Sequence, residues 1–498
     1  ADPRLSPNAG QRSTSTATPP PADLANAKSV AVLAFENLSG DKENEYFSDG
    51  ISEELLTVLQ KIPGLRVAAR TSAFYFKGRN ATAQEIGQKL GVAYLVEGSV
   101  RKAGARVRIS SRLSKADTGE QVWGESYEDE LKDVFALQDR IAGRIAESLQ
   151  LKLGTPIHRA AVHPEAYQLT LEARRGFLLL TDDAVARSES LFARAVELDP
   201  AYADASSGLA MARFVAADLR NVGARHVEPE LAQAESHARK VLALDPRNGE
   251  AHVVLGCVAL SRGALATAAA EFRLGFELSP GSEQLAMWHG WLLLRRGRPD
   301  RLATEMASLF RLNPFSWLPA DMCGVGLLHG GKPTDAIPWF ETAERLGSPP
   351  ITHAHHALAL AKLGRKEEAI ARARIALEDA RKQGWAKGFI IQSDGFAAWA
   401  LAVAGARSEA APIVDRIMRD APPLRYGAAM AAVLLGRMDP GFEALADTPQ
   451  SGLGFQLAFL VDVESETIAP RVRQLLTQLK AVADFETLKR VRRGEKLE

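Results

Sequence analysis

The feature that most narrows what this chain can fold into is a proline that returns at a near-constant interval. VELDP ends at Pro200, LALDP at Pro246, FELSP at Pro280, RLNP at Pro314 and RLGSP at Pro349, giving spacings of 46, 34, 34 and 35 residues. A period of this length means one supersecondary unit stacked on copies of itself, because a single unit cannot bury its apolar face alone. Between the prolines, Gly and Ala hold fixed offsets within helically spaced apolar residues. Each unit therefore reads as a helical one. The first spacing, 46 against 34, places an insertion near RNVGARHVEPEL (220–231).

The same period decides the meaning of GLLHGGKPTDAI (326–337), whose first seven residues match the G-x-x-x-x-G-K of a phosphate-binding loop. Such a loop needs a Ser or Thr after the lysine to hold magnesium. Pro333 stands there and has neither a hydroxyl nor a backbone N–H. The repeat register instead puts Gly324 and Gly326 on a first helix, Gly330 and Gly331 in a tight turn, and Ala336 on the second helix.

Leu255, Gly256, Ala268, Phe272 and Pro280 carry the pattern most fully. Gly176, Phe192, Ala195 and Pro200 fit an earlier unit, and Gly324, Ala336, Phe340 and Ala343 a later one. Gly290 and Pro314 mark a unit with Leu302 where Ala is usual, while Ala369, Ala376, Ala410 and Pro422 mark two looser ones. On these residues the stretch 169–424 resembles the tetratricopeptide (TPR) repeats. The resemblance implies an all-α superhelix of about seven units that binds a protein or peptide. Repeats are expected over 155–424, with a degraded repeat or helical cap over 425–498.

Ahead of the repeats the pattern is different. SVAVLAF (29–35) and LRVAAR (65–70) read as strands, and ISEELLTVLQKI as a helix capped by Ser48 or Asp49. ATAQEIGQKLG reads as a helix stopped by Gly91. Residues 93–129 read as three strands with turns at 103–104 and 117–119, and 131–153 as a long closing helix. The fold class is thus α+β overall: a small α/β domain over 29–154, then the helical superhelix. LAFENLSGDKENEYFSDGISEELL (33–56), RTSAFYFKG (70–78), LGVAYLVEGSVRKAGARVRIS (90–110) and GEQVWGESYEDELKDVFALQDRIA (119–142) resemble the TolB-like or FlgO-like amino-terminal domain of bacterial signalling proteins. That resemblance implies a nucleotide cyclase, protein kinase or winged-helix module upstream, often across a membrane helix, and carries no catalytic residues.

Composition sets further limits. Lys plus Arg equals Asp plus Glu at 61 each in 498 residues, so no net field favours nucleic acid or an anionic membrane. The most apolar run, FAAWALAVAGA (396–406), is far short of the roughly 20 residues that span a bilayer. Residues 1–28, rich in Pro, Ser, Thr and Ala, read as a disordered tether. Together with the initial Ala, this tether leads to the expectation of a missing upstream module and a periplasmic location, with the cytoplasm as the alternative. Cys257 and Cys323 fall in apolar helical patterns and are expected as buried thiols.

Several constellations invite a chemical reading. His353, His355 and His356 lack an evident third ligand set, Asp49, Glu53 and Glu54 read as helix-start acids, and the basic tail LKRVRRGEKLE reads as solvated. No metal, cofactor or catalytic residue is expected, nor nucleic-acid contact. Asn37, Ser39 and Asp41, in the loop after the first strand, are candidates for a small ligand. The candidate protein or peptide contacts lie on the concave face of the superhelix: Val253, Met287, Trp291, Asp321 and Val325. This face is largely apolar and would suit an amphipathic helix or an apolar peptide, unless its residues pack between repeats; a homodimer is a separate expectation.

Overall fold

The β-branched residues of SVAV form a fully buried strand, β1 (Ser29–Val32), in the interior of a small mixed sheet. With β2 (Glu36–Asn37), β3 (Arg66–Val67), β4 (Tyr94–Ala103), β5 (Arg106–Lys115) and β6 (Gln121–Glu130), the strand order is β3-β1-β4-β5-β6, and β2 pairs beside β4. β1 runs parallel to β3 and β4, while β4, β5 and β6 form an antiparallel meander. Gly104 and Gly119 hold positive φ of 59° and 70° in the two turns, a conformation that glycine adopts without steric cost.

The computed structural model describes residues 28–498 except 42–43, 61, 152–161, 178–180, 221–227, 280–281, 383–384, 421–425, 447–452, 464, 466, 496 and 498. The tether over 1–27, the core of the repeat insertion, Pro280 and Pro422 therefore lie outside the described residues.

One face of the sheet is covered by the helices Glu45–Gln60 and Val134–Ser148, where Ile51, Leu55, Leu59, Leu137 and Ile141 pack on Val30, Val32, Val96 and Ile109. On the other face Ile86 and Leu90 of Ala83–Leu90 cover Ala31 and Leu95. Thr82 and Glu85 close a reciprocal capping box at the start of that helix, and Gly91 ends it in the left-handed region.

The structure corrects several local expectations. The first helix starts at Glu45, so Ser48 and Asp49 lie inside it and neither caps it. The first strand ends at Val32, and the second covers only Arg66–Val67, because Arg70–Phe74 turns into a short helix. The closing helix ends at Ser148 and does not reach 153.

From Pro164 the described chain is helical, with eight antiparallel pairs running from Pro164–Phe177 to Met438–Ala446 and then the helices Leu453–Val463, Ala469–Gln478 and Val482–Arg492. Small residues fix how closely each pair approaches. A Cβ on Gly256 would stand 2.5 Å from the Phe272 ring, and one on Gly324 2.6 Å from Phe340. The glycine is thus the recess that seats the aromatic residue of the second helix. The first unit departs from this rule: Phe192 packs against Gly208, and Gly176 faces Ser188.

Within GLLHGGKPTDAI, Gly326 lies on Trp317–His329 against the Ala303 backbone, Gly331 turns at φ +80°, and Pro333 is the first residue of Pro333–Arg345. The phosphate-loop match is thus a helix-to-helix turn. Both cysteines are buried, and burial pushes the Cys323 thiol up to about 12.

The α/β domain docks on the first helix pair and on the fourth, with the turn that follows the fourth. Tyr75 stacks on Phe315 at 4.2 Å, Thr71 Oγ1 donates to Glu283 at 3.1 Å, and Arg174 donates to Glu54 at 3.1 Å. Between the two units lies a cleft of about 360 Å³ lined by Glu53, Arg70, Arg174, Glu250 and Glu283 among others.

Candidate functional site

The first helices of successive pairs form the inner wall of the superhelix. Gly249–Ser261, Trp317–His329, Pro350–Lys362 and Lys387–Ala404 are buried over most of their circumference, as their all-round apolar composition requires. Their outer sides meet the second helices of each pair. The inner side of the last three, and of Glu283–Arg295, is covered by the chain's own Leu453–Val463 helix, hereafter the resident helix.

Its sequence, LGFQLAFLVDV, explains why it sits there. Phe455 and Phe459 are four apart and so share one face. The Phe455 ring lies 5.1 Å from Trp291, 5.0 Å from His329 and 4.9 Å from Phe396, while Phe459 lies 5.7 Å from Trp399. Gly454 lets the two backbones touch, since a Cβ there would stand 2.7 Å from Leu294.

Charges hold the far end. Asp462 pairs with Lys362 and accepts from Arg492 at 2.7 Å. Arg492 also donates to the carbonyls of His329 at 3.0 Å and Ala458 at 3.2 Å. Arg295, 3% exposed, pairs with Asp484 of the last helix, Val482–Arg492. Arg492 of the tail expected to be solvated is therefore a structural clamp.

This arrangement changes the reading of the concave face. Val253, Asp321 and Val325 are buried, at 3%, 4% and 0% exposure. Met287 and Trp291 are half-buried, and Asp321 faces His355 Nδ1 at 3.3 Å. The sequence leaves these residues either to a partner or to packing between repeats; in the structure Val253 packs with the neighbouring repeats, and the wall from Trp291 onward is occupied by the resident helix. The physical reason is that an apolar wall is costly to hydrate, and the chain itself supplies a helix with two aromatic anchors and an acid. The sequence reading missed Phe455, Phe459, Asp462, Arg492 and His329. The spacing F-x-x-x-F-x-x-D in 455–462 was the available signal.

His329 sits between Trp399 and Phe455, 1% exposed, with neither ring nitrogen hydrogen-bonded. Burial, then the nearby charges of Lys362, His355 and Arg492, hold its imidazole well below the usual histidine range. Burial likewise lowers Lys362, against the pull of Asp462.

The other candidates resolve into local contacts. Asn37 Nδ2 donates to the Asp41 carbonyl at 2.7 Å, its Oδ1 accepts from Ser39 N at 2.9 Å, and Ser39 Oγ accepts from Lys102 N at 3.0 Å. Asn37 alone of the three lines a concavity of about 1130 Å³ over the polar face of β4 to β6. Asp49, Glu53 and Glu54 each face a different cation, Lys77, Arg70 and Arg174, so they do not assemble into an acid–base pair.

His353 and His356 both meet Glu344 Oε1, at 2.8 and 3.0 Å, and His355 points elsewhere. Burial raises the Glu344 carboxyl, but the hydrogen bonds and charges of these two histidines outweigh it and bring it to about 2. Among the described residues no group of three or more His, Cys, Asp or Glu is placed to hold a metal ion. No described helix is long and apolar enough to cross a membrane.

No protein-family description matches the chain. It is 35% identical over 244 residues to the protein named "Putative adenylate cyclase 3" of Rhizobium meliloti (strain 1021), covering 48% of this chain and 41% of that protein. The chain thus spans well under two thirds of that relative's length. Among solved structures it is similar to TTC0263, a thermophilic TPR protein of Thermus thermophilus, at 19% identity with a TM-score of 0.24, over 43% of this chain and 92% of that one. PilF of Pseudomonas aeruginosa matches at 18% identity with a TM-score of 0.26, over 52% and 94% of the two chains. The fold assignment stands on the helix pairs, their period and their glycine–phenylalanine contacts. By that architecture the chain is a small α/β domain joined to an all-α tetratricopeptide superhelix.

Proposed function

We propose that this chain is a non-enzymatic scaffold and sensor region of a bacterial signalling protein. Its TolB-like α/β domain and helical repeats form one packed body, and the inner wall of the repeats takes an apolar helix with an acidic end. The observation that carries this reading is the resident helix. The wall binds a helix with aromatic residues four apart and an acid three further on, and so displays the chemistry a partner helix would use. The likeness to a protein named as a cyclase supports an output module of that class, which a partner helix would bias by displacing the resident one.

The test is competition. A fluorescein-labelled peptide of residues 453–463 is titrated at pH 7.5 against the full chain and against Asp462→Lys, which sets a third cation beside Lys362 and Arg492. The variant is expected to bind the peptide at least ~10-fold more tightly, since its internal competitor is weakened by roughly 1.4 kcal/mol or more. Equal affinity, or none in either protein, would remove the reading.

A second reading has one observation in its favour. The concavity over β4 to β6 is lined by Glu36, Asn37, Glu97, Ser99 and Arg112, polar groups of the kind that orient a small ligand. If it binds one, nucleotides, sugars or peptidoglycan fragments added at 100 Kd raise stability by about 2.7 kcal/mol. A thermal-shift screen with no change in midpoint counts against this site.

A further inference from the structure

We propose that the resident helix is an acid-sensitive latch: a proton on His329 releases Leu453–Val463 from the inner wall. The inference rests on the wall being a helix-binding surface and supplies its regulation.

The geometry is that of a position built for a neutral ring. His329 lies on Trp317–His329, enclosed by Trp399 at 6.2 Å and Phe455 at 5.0 Å, and neither nitrogen has a hydrogen-bond partner. The titratable and charged groups that bear on it are mostly cationic. Pro350–Lys362 contributes His355 and Lys362, and Val482–Arg492 contributes Arg492, whose Nε is bonded to the His329 carbonyl. The resident helix contributes Asp462, which is already engaged by Lys362 and Arg492. His355 Nδ1 faces the Asp321 carboxylate at 3.3 Å. His329 has no such carboxylate among the groups that act on it. A proton arriving there would be a buried charge with aromatic rings and cations around it, a state that is relieved by opening.

The sign follows from linkage. The folded-state pKa of His329 is depressed, so the open state binds the proton more tightly. The contribution of the neutral ring to closure is therefore fully present above about pH 6.5, the ordinary histidine value, and declines as pH falls below it. Between pH 7.5 and 5.5 the open fraction rises about tenfold, from the proton bound in the open state alone.

The experiment is hydrogen exchange of the full chain, read at residues 453–463 and corrected for the intrinsic pH dependence of exchange. Protection there is expected to fall about tenfold from pH 7.5 to 5.5 in the native chain, and to stay within about twofold in both His329→Phe and His329→Gln. The phenylalanine variant keeps the aromatic contacts, and the glutamine variant guards against misfit of that ring. Unchanged protection in the native chain overturns the proposal, as does an acid response that survives in the two variants. Failure here leaves the peptide competition at pH 7.5 standing. Failure of that competition leaves the exchange result standing as a property of the latch alone.

Discussion

Phe455→Ala is expected to detach the C-terminal helices from the superhelix well before the rest of the chain unfolds. The ring is 2% exposed and lies against Trp291, His329 and Phe396. Deleting a buried phenylalanine costs about 3–5 kcal/mol through lost burial and the cavity left behind. In a repeat protein that loss falls on the neighbours of the altered element and is not spread over the whole molecule. Thermal unfolding followed by tryptophan fluorescence is expected to show a new early transition, with hydrogen exchange assigning it to 453–463 and 482–492. A single transition at the native midpoint would show that the resident helix is not held by its aromatic anchor.

The second large effect lies at the junction of the two units. Arg174→Met takes the guanidinium away from Glu54, whose side chain is 4% exposed, and from Glu250 at 3.7 Å. Removing one member of a buried ion pair typically costs about 3–5 kcal/mol, and with Arg174 itself 24% exposed a loss of about 2–3 kcal/mol is expected in urea denaturation. The double variant Arg174→Met with Glu54→Leu is expected to lose less than the single one, because Glu54, the more deeply buried of the two carboxylates, is then no longer left without its cation. A double variant at least as unstable as the single would mean that this pair does not hold the units together.

Much of the fold was legible because it is written in local periods. The proline interval reveals the repeat, and the glycine facing each phenylalanine follows from two helices that must approach within a side chain's depth, as at Gly256 and Gly324. The meander of β4, β5 and β6 could be read from alternation and two turn glycines. The errors lie at boundaries. Ser48 is expected as a cap because its residue type favours caps, but the helix extends one turn earlier, and Ser48 there accepts from Ser52 Oγ at 2.9 Å through its carbonyl.

The site was only half legible. An apolar inner face is a local property of the first helices, and Val253, Trp291 and Val325 could be named from repeat register. What covers that face is not local. Phe455 reaches His329 across more than a hundred residues of chain, and Arg295 meets Asp484 at a separation of 189. Local patterning suffices for the two architectures, the period of the helical one and the chemistry of its inner wall, since each depends on neighbours a few residues or one repeat apart. Long-range packing alone reveals that the chain's own helix fills the wall and that a neutral histidine sits under it, because superhelical curvature, accumulated over several repeats, sets which distant surfaces meet.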